Sequence, residues 1–261
     1  MELISQLSLS FNAKALLIIA FVIISTIAGQ LLFRRLVGAQ RIQELHDVAG
    51  HYVTIVSTIY AVTLGLIVFD AVQTFSEANS TVKDEARSLT AVYSLSERYP
   101  EPHRREIQNL VYNYVGAVIA SEWNLMSGGQ ECPLSRKLMN DLLHEVNSIE
   151  PQTPSQLAML PLLTTETLTA MDAARIRLQM SESGIPDLEW FALLMGGFFT
   201  IFFTYFFATN PLLQTVMSIM VSCIIGTNLI LVLAFGEPYS GAFKVSDGEL
   251  VKVKNYMDSL R

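Results

Sequence analysis

The chain has 261 residues, of which 51% are hydrophobic and only 16% are charged, and its formal net charge is −7. The charged fraction is low for a soluble domain, in which about 25% is usual. The acidic balance excludes nucleic acid as an expected partner, because phosphate backbones are bound by basic surfaces.

Two long uncharged segments lie in the first part of the chain. Ala15 to Phe33 consists mostly of Leu, Ile, Val and Phe, and Val48 to Phe69 also lacks Asp, Glu, Lys and Arg. Each is long enough to cross about 30 Å of hydrocarbon as a helix. Arg34 and Arg35 follow the first segment, whose apolar core is too long for a signal peptide, so we expect a retained anchor.

The middle of the chain, from Asp70 to Trp190, is more polar and has helical periodicity. The pattern of the second span continues to Tyr99-Pro100, which predicts one long helix that projects from the bilayer. Proline and glycine positions then divide the segment into three further helices, predicted from Pro102 to Ser127, from Pro133 to Ile149 and from Ser155 to Ser181. An all-α bundle that continues the membrane helices is the simplest architecture.

The longest uncharged segment runs from Phe191 to Gly236. Asn210-Pro211 interrupts it near the middle, which predicts two spans joined by a tight turn. The predicted fold is therefore an all-α polytopic membrane protein with four transmembrane helices in two hairpins and a helical extramembrane bundle between them. The predicted parts are a hairpin over residues 1–75, a bundle over 76–187, a second hairpin over 188–236 and a tail over 237–261.

Four spans place the N-terminus, the bundle and the tail on one side of the membrane and the loop from Arg34 to Asp47 on the other. That loop holds Arg34, Arg35 and Arg41, whereas the rest of the 17 basic residues lie on the shared side. The count favours a cytoplasmic bundle. Arg34 and Arg35 favour the opposite orientation, because they directly follow the first span, which often dominates orientation.

The sequence contains no motif that indicates catalysis or metal binding. It has no phosphate-binding glycine-rich loop, no His-Glu-x-x-His and no Gly-x-Ser-x-Gly. The four histidines are scattered and are not spaced as metal ligands. We therefore predict that the protein is not an enzyme and needs no metal or other cofactor.

The second span carries small and hydroxyl side chains at helical spacing: Thr54, Thr58, Ala61 and Gly65. Such residues let membrane helices pack closely. Alternatively, in an oligomer, they line a water-filled path on a central axis, since a four-helix protomer has little room for a pore of its own. Asp70 closes the span. On a symmetry axis it would form a cation-favouring ring of negative charge. Elsewhere it is an interfacial carboxylate or a partner for a nearby Lys or Arg.

Charged side chains on two helices of the predicted bundle invite pairing. They are Asp84, Glu85 and Arg87 after the second span, and Asp172, Arg175 and Arg177 before the third. Both groups lie at a similar distance along the chain from their spans, so we expect them to meet at a similar height. A structural salt-bridge network and a coupling element that moves with gating are both consistent with this pattern.

Several short motifs are spread over nearly the whole chain. They are Glu85-Ala86 with Leu89, Tyr114 with Glu122-Trp123, Asp172-Ala173 with Arg175 and Arg177, Ile185-Pro186 with Trp190, and Pro238 with Gly241. In these motifs the chain resembles a family of bacterial and plant membrane proteins of unknown function called bestrophin-like. The resemblance implies a distant similarity to bestrophins, which are pentameric anion channels with four-span subunits, a cytosolic helical part and a pore lined by the second transmembrane helix. The acidic cluster with which bestrophins hold calcium has no counterpart here.

The predicted function is a homo-oligomeric ion channel or pore, pentameric by resemblance, that conducts inorganic ions through the lipid bilayer. The pore-lining candidates are Thr54, Thr58, Ala61, Gly65 and Asp70, and the salt-bridge or coupling candidates are Glu85, Asp172, Arg175 and Arg177. The alternative is a non-conducting membrane scaffold or sensor whose acidic bundle recruits a partner. That alternative predicts an exposed apolar patch on the bundle.

Overall fold

A computed structural model of the chain describes residues 11–37, 39–126, 128–206, 210–241 and 243–261. The regular elements in these ranges are helices: α1 (Phe11–Val37), α2 (Ala39–Ser96), α3 (His103–Ala117), α4 (Trp123–Met126), α5 (Pro133–Asn147), α6 (Pro154–Glu182), α7 (Asp187–Thr204), α8 (Pro211–Phe235) and α9 (Gly248–Leu260), with a π-helical segment (Val118–Glu122) between α3 and α4. Four of them, namely α1, α2 from Gly50 onward, α7 and α8, are long and apolar enough to cross a membrane. The prediction of an all-α membrane protein with four such helices is confirmed.

The chain divides into two compact units. The membrane unit lies within Met1–Val72 and Ile185–Gly236, and the middle unit lies within Gln73–Gly184 and Glu237–Arg261. Helix α2 contributes its first part to the membrane unit and its second part to the middle unit.

In the membrane unit, α1 packs along α8 through polar and small side chains. The hydroxyl oxygens of Thr26 and Ser222 are 2.7 Å apart, and Nε2 of Gln30 donates to Oγ1 of Thr215 at 3.3 Å. Gly226 lies against Ile19, and any added Cβ would be in ordinary contact with it. The small and hydroxyl residues of the last span thus serve helix packing, as is usual in membrane proteins.

The membrane part of α2 packs with one face against the other spans. Tyr60, Leu64 and Ile67 are buried in a cluster with residues of α7 and α8. Gly196 on α7 is required at this contact, because a Cβ there would overlap the ring of Tyr60. Close approach therefore fixes which face of α2 is covered within the protomer.

The middle unit has its own apolar core, to which α2, α3, α5, α6 and α9 contribute. Leu89, Ile107, Leu142 and Leu163 are fully buried there. Helix α9 packs on this core through Leu250, Val253 and Met257, which are all buried. The sequence predicted only a tail in this part of the chain, although the spacing of these three apolar residues suits a helix.

The predicted single helix through the second span is confirmed, although it ends at Ser96, shortly before Tyr99-Pro100. The predicted loop from Arg34 to Asp47 is wrong as a loop, because α1 extends to Val37 and α2 begins at Ala39. Residues 39–47 contain no Pro or Gly and are rich in good helix formers, so helical backbone is favoured there.

Candidate functional site

A group of charged side chains is fully buried in the middle unit. Arg177 on α6 and Glu85 on α2 are 0% exposed, and Glu122 at the end of the π-helical segment is 1% exposed. Nε of Arg177 donates to Oε2 of Glu85 at 2.7 Å, and Nη2 donates to Oε1 of Glu122 at 2.7 Å. One guanidinium therefore bridges carboxylates from two other parts of the chain. We call these residues, with Tyr114 and Ser135, the Arg177 cluster.

Two hydroxyls complete the hydrogen bonding of the carboxylates. The hydroxyl of Tyr114 donates to Oε1 of Glu85 at 2.6 Å, and the hydroxyl of Ser135 donates to Oε2 of Glu122. All four carboxylate oxygens of the cluster thus accept a hydrogen bond. This is the condition under which charges are tolerated in a protein interior, since an unpaired buried charge is very costly.

The guanidinium also contacts an aromatic ring and a thioether sulfur. Its Cζ lies 5.6 Å from the centre of the Trp123 ring, and its Nη1 lies 2.7 Å from Sδ of Met126. A guanidinium over an aromatic face gains electrostatic attraction that does not depend on a carboxylate. Arg177 is therefore held from several sides, and the cluster has one well-defined geometry.

Helix geometry explains how these residues converge. Glu85 falls on the buried face of α2 with Ala78, Val82 and Leu89, which are its neighbours at helical spacing. Tyr114 and Glu122 are eight residues apart, which would separate them by about 80° around a regular α-helix. The π-helical segment between them adds a residue to one turn and takes up most of that rotation, so both side chains reach Arg177.

The cluster combines two acidic groups with one basic group. Burial raises the pKa of Glu122, and repulsion by Glu85 adds to the rise, whereas Arg177 opposes it. Burial favours the neutral form of Arg177, but Glu85, Tyr114 and Glu122 together outweigh it and hold the pKa of Arg177 well above its ordinary value. Burial also raises the pKa of Tyr114, which remains a neutral donor. Glu122 is thus the group at which we expect the cluster to take up a proton.

The structure brings together only two of the four predicted coupling residues. Glu85 and Arg177 form the centre of the cluster, but Asp172 and Arg175 are exposed and take no part in it. Both line a surface pocket of about 410 Å³ that Glu122 also borders. Glu122 completes the cluster. It is not among the site residues predicted from the sequence, although it belongs to the motif that contains Tyr114.

The predicted pore-lining residues of α2 lie mostly on one uncovered face of the membrane unit. Thr54, Thr58, Ala61 and Gly65 are all exposed. Oγ1 of Thr58 donates to the carbonyl oxygen of Thr54 at 2.7 Å, and Oγ1 of Thr54 donates to that of Gly50 at 3.1 Å. No other described part of the membrane unit therefore covers this face, and the hydroxyl groups of Thr54 and Thr58 donate to backbone carbonyl groups of α2 itself.

Asp70 is also exposed, but it lies on a different side of α2. It follows Gly65 by five residues, which corresponds to about 140° around the helix axis. Its carboxylate and that of Glu189 on α7 repel each other. A ring formed by Asp70 stays a prediction, and it requires the carboxylate to reach the axis from the flank of the helix.

Comparison with known proteins decides the family. The model of the Bestrophin-like domain matches residues 20–250. The chain belongs to the bestrophin-like family. This bestrophin-like match spans the uncovered face of α2 and every residue of the Arg177 cluster, and it confirms the family predicted from the motifs. No curated protein and no solved structure gave a match.

Proposed function

We propose that this bestrophin-like protein is a homo-oligomeric ion channel or pore, with α2 lining an axis between protomers. The uncovered face of α2 carries the proposal. Tyr60 and Leu64 are buried within the protomer, whereas Thr54, Thr58 and Gly65 are exposed at the level of an apolar span. Threonine oxygens and a small glycine surface suit a water-filled path once several copies surround an axis.

The proposal includes the arrangement of the parts in the membrane. Helices α1 and α2 form the first transmembrane hairpin, α7 and α8 form the second, and the middle unit is an extramembrane bundle. The distribution of Lys and Arg supports a cytoplasmic position for this bundle. The resemblance to a family with bacterial members supports a bacterial inner membrane. Five subunits and conduction of inorganic ions are supported by the resemblance to bestrophins.

In this proposal the Arg177 cluster is the element that couples the two helices it joins. Glu85 lies on α2, which continues from the proposed axis, and Arg177 lies on α6, which precedes α7 in the chain. A fully hydrogen-bonded buried ion pair resists separation, so a movement of α6 is passed to the second part of α2. Asp172 and Arg175 extend this role to the neighbouring pocket, where a change of surface charge acts close to Glu122.

Ion flux from liposomes that contain the purified protein tests the proposal. We expect flux from the wild-type chain and its loss in Thr58→Phe, whose ring narrows the proposed axis. Ile59→Phe is the matched control, because Ile59 is 63% exposed but faces about 100° away from Thr58. No flux from an assembled oligomer over a range of salts, voltages and pH values would count against conduction.

The second candidate is a non-conducting scaffold or sensor. Exposed apolar side chains on α6 favour it, since Leu157 is 63%, Leu168 44% and Ile176 41% exposed. Leu157 and Leu168 are eleven residues apart and therefore share a face of the helix. A scaffold predicts no flux, loss of a bound protein in Leu157→Asp and Leu168→Asp, and no effect of Thr58→Phe.

A further inference from the structure

The membrane unit contains an apolar groove between α1 and α7, which we call the α1/α7 groove. Its volume is about 450 Å³. Phe21, Leu32 and Leu36 of α1 form one wall, Leu194 and Phe198 of α7 form the other, and the buried side chain of Ile225 on α8 lies at the floor. The groove is thus open to the hydrocarbon that surrounds the spans.

The character of the walls indicates a flexible apolar chain as the occupant. Helix contacts within membranes use small side chains that let two backbones approach closely. The α1/α8 contact has that character through Thr26, Ser222 and Gly226. The groove also contains small residues, namely Ser25, Gly29 and Gly197. Large exposed side chains nevertheless stand along both rims, such as Phe21 and Phe198, which are 68% and 58% exposed. A second helix would meet these rims before it reached the floor.

A basic residue stands at one end of the groove. Arg35 lies in the last turn of α1, between the groove-lining residues Leu32 and Leu36, and its side chain is exposed. Arg34 next to it turns to the other side of α1 and donates to Oε1 of Gln214 on α8. The apolar part of α1 ends here, so Arg35 is at the level of the lipid headgroups, where it complements a phosphate.

We propose that the α1/α7 groove binds one acyl chain of a phospholipid with an anionic headgroup, whose phosphate lies beside Arg35. The site is independent of ion conduction, because it lies between α1 and α7 and not on the uncovered face of α2. A bound chain would fill a gap that the protein leaves in its own packing, and lost dispersion contacts along such a gap are regained by the lipid.

A photoreactive lipid tests the site in the wild-type protein. The protein is placed in vesicles of phosphatidylcholine and phosphatidylglycerol, with a diazirine on an acyl chain of the phosphatidylglycerol, and labelled residues are mapped after irradiation. We expect labelling concentrated on Phe21, Leu194 and Phe198. Equal labelling of Leu17 and Ile24, which are exposed on α1 outside the groove, would overturn the proposal.

Matched tryptophan variants provide the second arm. Ser25 lines the groove, and Ser25→Trp fills it, whereas Ala20 is exposed about 140° away on the same helix and serves as Ala20→Trp. In native mass spectrometry we expect Ser25→Trp to lose the retained phosphatidylglycerol and Ala20→Trp to keep it. Equal retention in both variants would overturn the proposal. Dissociation of the oligomer in Ser25→Trp alone would identify a second copy as the occupant and would also overturn it.

The charge at the end of the groove is tested separately. Arg35→Gln is expected to lower the preference for phosphatidylglycerol over phosphatidylcholine about fivefold, the factor that corresponds to about 1 kcal/mol for one basic residue at an anionic surface. Acyl-chain labelling in the groove should persist in this variant. An unchanged preference would overturn the assignment of the anionic headgroup to Arg35.

Discussion

The two parts of α2 use polar side chains in opposite ways. In the membrane unit, Thr54 and Thr58 lie on the exposed face and donate to carbonyl groups of their own helix. In the middle unit, Glu85 lies on the buried face and is bonded to Arg177 and Tyr114 from other helices. The threonines need no hydrogen-bond partner outside their own helix, so their face is free to contact water or another subunit. Glu85 depends on partners from other helices for its hydrogen bonds.

This difference predicts where substitutions destabilise the protein. A surface threonine bonded to its own helix contributes little to folding, because water or a neighbouring group replaces the bond easily. A buried ion pair that loses one member leaves an uncompensated charge. Substitutions in the Arg177 cluster should therefore act on stability, and substitutions on the uncovered face of α2 should act on transport.

The largest effect is expected for Arg177→Met, which leaves Glu85 and Glu122 buried without a cation. We expect a loss of about 3–5 kcal/mol in the free energy of unfolding, measured by equilibrium unfolding in detergent. Arg175→Met is the matched control two residues away on the same helix, and its exposed side chain should contribute less than about 0.5 kcal/mol. Equal losses in the two variants would contradict the comparison.

Tyr114→Phe should have the next largest effect. It removes the hydroxyl that donates to Glu85 at 2.6 Å while keeping the ring in the core. A hydrogen bond to a charged group contributes about 1.5–3 kcal/mol, and we expect a loss of that size in the same unfolding measurement. Tyr256→Phe, at an exposed position of α9, is the control. If Tyr114→Phe were as stable as the wild type, Glu85 would not depend on this donor.

Glu122→Gln should have the smallest effect and a distinct pH dependence. Because the folded state raises the pKa of Glu122, it binds more protons than the unfolded state above the ordinary carboxyl value. The stability associated with this group is therefore present at low pH and is lost as the pH rises through the raised pKa. We expect Glu122→Gln to remove that part of the pH dependence, measured by unfolding at several pH values. An unchanged slope would show that Glu122 ionises as an ordinary carboxyl group.

Much of the fold could be predicted from the sequence, because its main signals are local. Runs without charge predict the spans, and Pro and Gly mark most helix boundaries in the middle unit. The end of α1 was harder to predict, since Arg34 and Arg35 indicate the membrane surface and not the end of a helix. The α1/α8 contact depends on three-dimensional packing, which no local pattern specifies.

The candidate site was predicted only in part, for reasons that lie in helix geometry. Arg175 and Arg177 are two residues apart and so point to different faces of α6, and only one of them can reach the core. Glu85 was recognisable as a charge among buried positions of α2. Glu122 reaches the cluster through the π-helical segment, whose extra residue changes the phase of the helix and leaves no clear sequence signal.

The uncovered face of α2 is tested most directly by cysteine modification during flux measurements. Thr58→Cys and Ile59→Cys are prepared with Cys223 replaced by Ser, while Cys132 is buried and remains. A charged thiol reagent is then added to liposomes that conduct ions. We expect it to stop flux through Thr58→Cys and to leave flux through Ile59→Cys unchanged. Flux that continues through modified Thr58→Cys, or that stops in both variants, would contradict an axis lined by this face of α2.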